Sequence, residues 1–182
     1  TANGGMYAQV FRPEGGFVSF FRQTDGSWLP DRGIKHQLVK VEGGGWTFTA
    51  DGGSEIETFD ALGRLSSLTT RDGKRLTFVY NHGVLEGNLR DYQLSTVTAE
   101  SQRALHFAYD ASGRIDGLTD ANGAEYSYEY DPSGRLSAVR YPTQHALGYL
   151  YNEAQFTAGA SLPLSLTGIT DALVAGAAID PA

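Results

Sequence analysis

Bulky side chains alternate with small or polar ones along many short segments of the chain. Residues 126–130 read Tyr-Ser-Tyr-Glu-Tyr, and residues 76–80 read Leu-Thr-Phe-Val-Tyr. A period of two is typical of a β-strand with one buried face, because successive side chains of a strand point to opposite sides. The pattern predicts short strands joined by tight turns, and the 23 glycines supply the backbone freedom that such turns need.

The same local pattern returns along the chain at a fixed interval. An aromatic residue followed by Asp or Asn begins at residues 59, 80, 109, 130 and 151, so three of the four intervals are 21 residues and one is 29. A fixed period of this length indicates a repeat architecture in which each unit is one supersecondary element. The longer interval is interpreted as an additional loop around residues 87–93.

Three copies share a longer string, in which the aromatic residue and Asp are followed by two spacers, Gly, Arg and an aliphatic residue. We expect Asp to accept hydrogen bonds from the amides of a hairpin turn and Gly to take the left-handed conformation that reverses the chain. A second turn in each unit contains Gly73 or the pair Asp120 and Gly123, and Tyr151 begins the last copy. The motif residues are Phe59, Asp60, Gly63 and Arg64, then Tyr109, Asp110, Gly113 and Arg114, then Tyr130, Asp131, Gly134 and Arg135.

The repeat defines four segments of the chain. Residues 38–153 are predicted to form the repeat sheet, beginning with a degenerate unit at Leu38. Residues 1–37 are interpreted as a diverged β lead-in to the same sheet, and residues 154–171 as a loop and a terminal repeat strand. The small-residue tail, 172–182, is expected to be frayed.

The motif, continued by Thr119-Asp120 and by residues 128–131 (Tyr-Glu-Tyr-Asp), resembles the YD repeat of the Rhs family. This family includes bacterial polymorphic toxins, the C component of insecticidal toxin complexes and animal teneurins. Its repeats form a long β-sheet that spirals into a hollow shell, and in bacterial members the shell encloses a toxic C-terminal domain. The resemblance implies an all-β fold of tandem hairpins in a continuous curved antiparallel sheet, as an open segment of such a shell.

Composition and charge exclude several classes of function. The formal charge of −7 argues against nucleic acid or an anionic membrane surface as a partner, because both would repel the protein. The absence of cysteine excludes disulfides and thiolate metal sites. Neither a signal peptide nor a membrane-spanning apolar run is recognisable. The resemblance implies that the chain is exported or lies at the cell surface of a bacterium.

The carboxylates, histidines and glycines form no recognisable catalytic, metal-binding or phosphate-binding motif. Glu55 with Glu57, and Glu125 with Glu129, have the spacing of paired carboxylates on one strand face, but a solvated sheet face explains them better. The four histidines have no metal-site spacing, and the glycine run 43–45 is not followed by the Lys-Ser/Thr of a phosphate loop. We therefore expect no enzyme activity, no metal and no cofactor.

Two functional hypotheses remain from the sequence. The first is a structural segment of an Rhs-type shell that encloses or presents a toxin or effector polypeptide in bacterial competition. Its partners would be the remainder of the shell or the enclosed polypeptide. The alternative is a free-standing β-sheet module that binds a glycan or a cell-surface protein through its tyrosines and carboxylates. We also expect the repeated arginines to pair with the motif aspartates or to stack on tyrosines.

Overall fold

The computed structural model describes residues 6–82, 92–143 and 145–173, and within these ranges the chain forms fifteen strands and one short 3-10 turn at Asp51–Gly53. Residues 87–91 of the predicted loop at 87–93 lie outside the described residues. Residues 174–182 of the predicted tail also lie outside them. The strands are β1 (Tyr7–Phe11), β2 (Phe17–Arg22), β3 (Trp28–Pro30), β4 (Gln37–Lys40), β5 (Trp46–Thr49), β6 (Glu55–Phe59), β7 (Leu65–Thr70), β8 (Arg75–His82), β9 (Tyr92–Ala99), β10 (Ala104–Tyr109), β11 (Ile115–Thr119), β12 (Glu125–Tyr130), β13 (Leu136–Arg140), β14 (His145–Tyr151) and β15 (Leu166–Leu173).

These strands belong to two open sheets. Strands β4 to β15 form one 12-stranded sheet in sequence order, and β1, β2 and β3 form a separate three-stranded sheet. The prediction of an all-β fold with an open antiparallel repeat sheet is confirmed. The expectation that the first 37 residues lead into that same sheet is wrong, because their strands pair only with one another among the described residues.

One five-residue turn recurs throughout both sheets. The carbonyl of its first residue accepts a hydrogen bond from the N–H of the fourth residue. The N–H of the same first residue donates a hydrogen bond to the carbonyl of the fifth residue. The fourth residue has a positive φ in every copy, which explains the glycines because they take this conformation without steric cost. Copies of this turn occupy residues 12–16, 23–27, 41–45, 60–64, 70–74, 99–103, 110–114, 120–124 and 131–135.

The chain divides into two compact units. The first comprises Thr1–Val79 and Val97–Arg103, and in it β1–β3 pack over the beginning of the large sheet. Phe20 and Phe48, which are 0% and 1% exposed, meet edge to face with ring centroids 6.2 Å apart, and Val10 and Leu38 complete the buried core. Trp28 and Trp46 pack beside this core in a second edge-to-face pair.

The second unit comprises Tyr80–Thr96 and Ala104–Ala182, and its described strands form a single layer of the repeat sheet. The pairing registers place large apolar side chains on one face, as in the row Phe107, Leu118 and Tyr126. The neighbouring row on the other face is small, namely Ala108, Gly117 and Ser127. Across both units, the described residues include no helix with the length and hydropathy needed to span a membrane.

Candidate functional site

The motif aspartates organise the hairpin turns that join consecutive strands. In each copy, one carboxylate oxygen accepts hydrogen bonds from the backbone N–H groups two and four residues later, at distances of 2.8 to 3.0 Å. Asp120 makes the same two bonds in the second turn of its unit, with Asn122 and Ala124. Gly63, Gly73, Gly113, Gly123 and Gly134 all have φ between 78° and 85° at the fourth position of their turns.

The second oxygen of each motif aspartate binds the arginine that follows the turn. Arg64, Arg114 and Arg135 each donate from Nε and from one terminal nitrogen to the same oxygen of Asp60, Asp110 and Asp131, at 2.6 to 2.8 Å. The backbone N–H and the guanidinium of Arg114 hold the pKa of Asp110 below its ordinary value, and Arg135 lowers the pKa of Asp131 in the same way. The aspartates therefore fix the arginines in one orientation.

That orientation places Arg114 and Arg135 against the tyrosine of the next copy of the motif. The guanidinium of Arg114 lies 4.2 Å from the ring centroid of Tyr130, and that of Arg135 lies 4.6 Å from the ring centroid of Tyr151. The same tyrosines reach back with their hydroxyl groups, because Tyr130 donates to the carbonyl of Ile115 and Tyr151 to that of Leu136. Both acceptors are the aliphatic residues that directly follow the motif arginines.

We call this arrangement the inter-repeat clamp: Asp and Arg of one copy, the carbonyl of its aliphatic residue, and Tyr of the next copy. The hydroxyl of Tyr109 donates the equivalent hydrogen bond to the carbonyl of Leu94, at 2.8 Å. In three copies, therefore, a tyrosine hydroxyl donates to the carbonyl of the residue fifteen positions earlier. Burial raises the pKa of the Tyr109 hydroxyl, in keeping with this internal role. The recurring Asp, Arg and Tyr side chains of the copies at residues 109–114 and 130–135 thus have partners within the sheet.

Phe59 occupies the tyrosine position of the first copy and has a different environment. It has no hydroxyl group and instead packs against the core cluster of the first unit. Gly45 allows the backbone of Phe59 to lie close to its own backbone, since a Cβ atom added to Gly45 would lie 2.5 Å from the carbonyl oxygen of Phe59. The glycine run 43–45 is part of a hairpin and not of a phosphate loop, with Gly44 in the left-handed position of its turn.

The carboxylates proposed to lie on a solvated face have different environments. Glu57 is only 8% exposed and binds Arg12 at 2.5 Å, while its neighbour Ile56 is 40% exposed. The solvated interpretation is therefore wrong for Glu57, because its strand turns the acidic side chain toward the covering three-stranded sheet. Glu125 and Glu129 are both exposed, and Glu129 pairs with Arg140.

The described histidines have local, separate contacts. His36 accepts a hydrogen bond from the N–H of Asp51, His106 lies 3.4 Å from Thr96 Oγ1, and His145 lies 3.7 Å from a carboxylate oxygen of Asp171. Within residues 6–82, 92–143 and 145–173, no three His, Asp or Glu side chains are grouped as a metal site. The second unit also has two open grooves of about 510 and 600 Å³, one lined by Ala108, Gly117 and Ser127 and the other by Ala138, Gly148 and Glu153.

The repeated geometry of turn and clamp extends over β10 to β14, and a family comparison covers the same segment. A family model for the RHS repeat matches residues 109–146. Residues 109–146 are similar to the RHS repeat. The resemblance drawn from the Tyr-Asp motif is confirmed, and the matched segment begins at Tyr109 and contains both arginines whose clamps are described above.

The chain also has structural neighbours, each of which it resembles at low identity. The crystal structure of TcdB2-TccC3-Cdc42 is 12% identical, with a TM-score of 0.48, over 92% of this chain and 10% of that chain. The structure of TcdB2-TccC3 without its hypervariable C-terminal region is 17% identical, with a TM-score of 0.47, over 92% and 8%. The chain thus spans about a tenth of the length of these structures. No curated protein matches it.

Two features of the site were not recognised in the sequence. The tyrosine hydroxyl bond to a carbonyl fifteen residues earlier joins positions of two different motif copies. The buried pair of Arg12 and Glu57 joins the two sheets of the first unit. The motif period of 21 could have indicated the tyrosine hydroxyl bond between copies, whereas no local sequence pattern indicates the pair of Arg12 and Glu57.

Proposed function

We propose that this chain is a structural segment of an Rhs-type shell, which encloses or presents a toxin or effector polypeptide in bacterial competition. Its partners are the remaining repeats of the shell and the enclosed polypeptide. We further propose that the segment is not an enzyme. In this role, the repeats of the segment form part of the shell wall. The family resemblance implies that the protein is exported or displayed at the bacterial surface.

The inter-repeat clamp is the observation that carries this proposal. Each clamp joins one motif copy to the next copy along the chain, as Arg114 contacts Tyr130 and Arg135 contacts Tyr151. Because the copies that begin at Tyr109 and Tyr130 present the same groups forward and backward, further repeats can be added without changing the contact. Such nearest-neighbour contacts are the basis of extended repeat architectures, and a wall requires this kind of growth.

The use of the motif side chains supports a structural role over the alternative of a glycan-binding module. The hydroxyl groups of Tyr109, Tyr130 and Tyr151 donate to backbone carbonyls, and the rings of the latter two are covered by guanidinium groups. A sugar-binding platform needs an accessible aromatic face with a free polar edge. The repeated tyrosines are therefore committed to the sheet.

The first test is to read the coding sequence on both sides of this segment. Further units of 21 residues, followed by an unrelated C-terminal domain, are expected for a shell. Stop codons close to both ends, together with saturable binding on a glycan array, would favour the free-standing binding module instead.

The second test uses the full reading frame and digestion with proteinase K. We expect the C-terminal domain to resist digestion in the wild type and to be cleaved in the double variant Arg114→Ala, Arg135→Ala, because loss of two clamps opens the wall. Arg71→Ala is the matched control, since Arg71 is an exposed arginine outside the motif. Equal digestion of the domain in wild type and double variant would contradict the enclosing role.

A further inference from the structure

The three-stranded sheet of the first unit has one covered face and one open face. Its covered face contributes Val10 and Phe20 to the buried core. Its open face carries five large apolar side chains that are between 43% and 74% exposed, namely Tyr7, Phe11, Phe17, Phe21 and Leu29. The registers place them in cross-strand rows, with Tyr7, Phe21 and Leu29 in one row and Phe11 beside Phe17 in another. We call this surface the open aromatic face.

The area of this face matches that of the largest apolar patch on a typical monomer, which is often a functional surface. At about 150–250 Å² per aromatic side chain, the exposed fractions of its four aromatic residues amount to roughly 350–600 Å² of surface. The largest apolar patch on a typical monomer covers about 300–600 Å², whereas a stable interface buries about 800 Å² on each partner. The rings of the open aromatic face therefore supply about half or more of the area that each partner buries, and the residues at its rim would have to supply the rest.

The chemistry of the face is uncharged and self-complementary. Between the two aromatic rows lies a polar pair, in which the amide of Gln9 donates to the hydroxyl oxygen of Ser19 at 3.5 Å. If the face is covered by a partner, the Gln9 amide needs more hydrogen-bond partners than this single bond provides. A twofold related copy would bring a second Gln9 and Ser19 to the same central position, because both subunits of such a dimer use the same patch.

The charge distribution of the chain favours association at this unit. By sequence, the first unit contains ten acidic and ten basic residues, so its formal charge is zero, whereas the second contains eleven acidic and four basic residues and carries the whole charge of −7. Two copies that meet through their first units therefore bring together neutral regions. Contact through the second units would be opposed by repulsion between like charges.

From these observations we propose that the open aromatic face is a self-association surface, on which a second copy of this chain docks through its own open aromatic face. The two three-stranded sheets pack face to face in an isologous dimer, as sheets do in a β-sandwich. The neutral side chains of the face enter the interface without desolvation of a charge. The proposal goes beyond the shell function and does not depend on it.

The test measures the mass of the full 182-residue chain in solution by light scattering after size exclusion, over a wide range of concentrations. We expect a dimer for the wild type and a monomer for the double variant Phe11→Ser, Phe21→Ser. Phe156→Ser is the matched control, because Phe156 is a similarly exposed phenylalanine in the second unit, and this variant should remain a dimer. A monomeric wild type, or a double variant that stays dimeric, would overturn the proposal.

A cross-linking experiment avoids the risk that the double variant fails to fold. The chain has no cysteine, so Gln9→Cys introduces a single thiol at the centre of the proposed interface. Mild oxidation should then give a covalent dimer, while Ser133→Cys, at an exposed turn of the second unit, should give none. Equal cross-linking of the two variants would contradict a specific contact at the open aromatic face.

Discussion

The two units of the molecule hold their strands together by different means. The first unit covers part of its sheet with β1–β3 and buries Phe20 and Phe48 between the two layers. In the second unit, the apolar side chains that are buried among the described residues are Ala138, Val139 and Ala146, and all of them are small or medium in size. A single layer cannot gain much from burial, so the inter-repeat clamps and turns must contribute a larger share of its stability.

The two units also carry different spectroscopic reporters. Both tryptophans, Trp28 and Trp46, lie in the first unit, whereas nine of the ten tyrosines lie in the second. Tryptophan fluorescence therefore follows unfolding of the first unit, and near-ultraviolet circular dichroism in the tyrosine region follows mainly the second. This pair of probes allows each prediction below to be assigned to one unit.

The largest effect is expected from removal of a core ring. Phe48→Ala leaves a cavity beside Phe20, and such truncations cost about 3–5 kcal/mol of the free energy of unfolding. Urea unfolding followed by tryptophan fluorescence should show the loss. A decrease of less than about 1 kcal/mol would indicate that the two-layer core does not stabilise the first unit.

The second prediction concerns the left-handed turn glycines. Gly134→Val should lower the free energy of unfolding by about 1–3 kcal/mol, because valine is strained at a φ of 80°. Gly63→Val is the matched change in the first unit, where φ is 79° and the position of an added Cβ is open, while at Gly134 an added Cβ makes only an ordinary contact with the Arg114 guanidinium at 3.4 Å. We therefore expect losses of similar size when both are measured by urea unfolding, and an unchanged free energy of unfolding in both variants would contradict the strained turn.

The third prediction isolates the hydroxyl bond of the clamp. Tyr130→Phe keeps the ring that Arg114 covers but removes the hydrogen bond to the carbonyl of Ile115, which should cost about 0.5–1.5 kcal/mol. The tyrosine circular dichroism should report this loss during urea unfolding. Tyr149→Phe in β14 provides the control, and an equal effect of both substitutions would argue that the bond contributes nothing specific.

The smallest effect is a change of stability with pH in the second unit. The pKa values of Asp110 and Asp131 are lowered in the folded state, so the stability that they contribute is present above the unfolded value of about 3.9 and is lost as the pH falls through the folded values. The urea midpoint should therefore decrease below about pH 4. Asp131→Asn keeps an oxygen for the turn amides but removes the charge, and should flatten this dependence. Parallel curves for wild type and variant would contradict it.

Much of the repeat could be predicted because its chemistry is local in the chain. The turn at residues 131–135 is determined by Asp131, which binds amides within four residues, and by Gly134, which takes the required φ without steric cost. The alternation in β12 likewise indicates its two faces. The packing of Phe59 against the core of the first unit could not be predicted, because its position in the motif does not indicate that a second sheet covers this part of the repeat sheet.

The sequence by itself determined the strands, the hairpin turns and the period of 21 residues, since each depends on contacts between residues close together in the chain. Tertiary structure decided that β1–β3 form a separate sheet, that Glu57 is buried against Arg12, and that Arg114 covers a tyrosine sixteen residues away. A period of two shows that a strand has two different faces, but it does not identify the surface that each face meets. That choice depends on packing between distant segments.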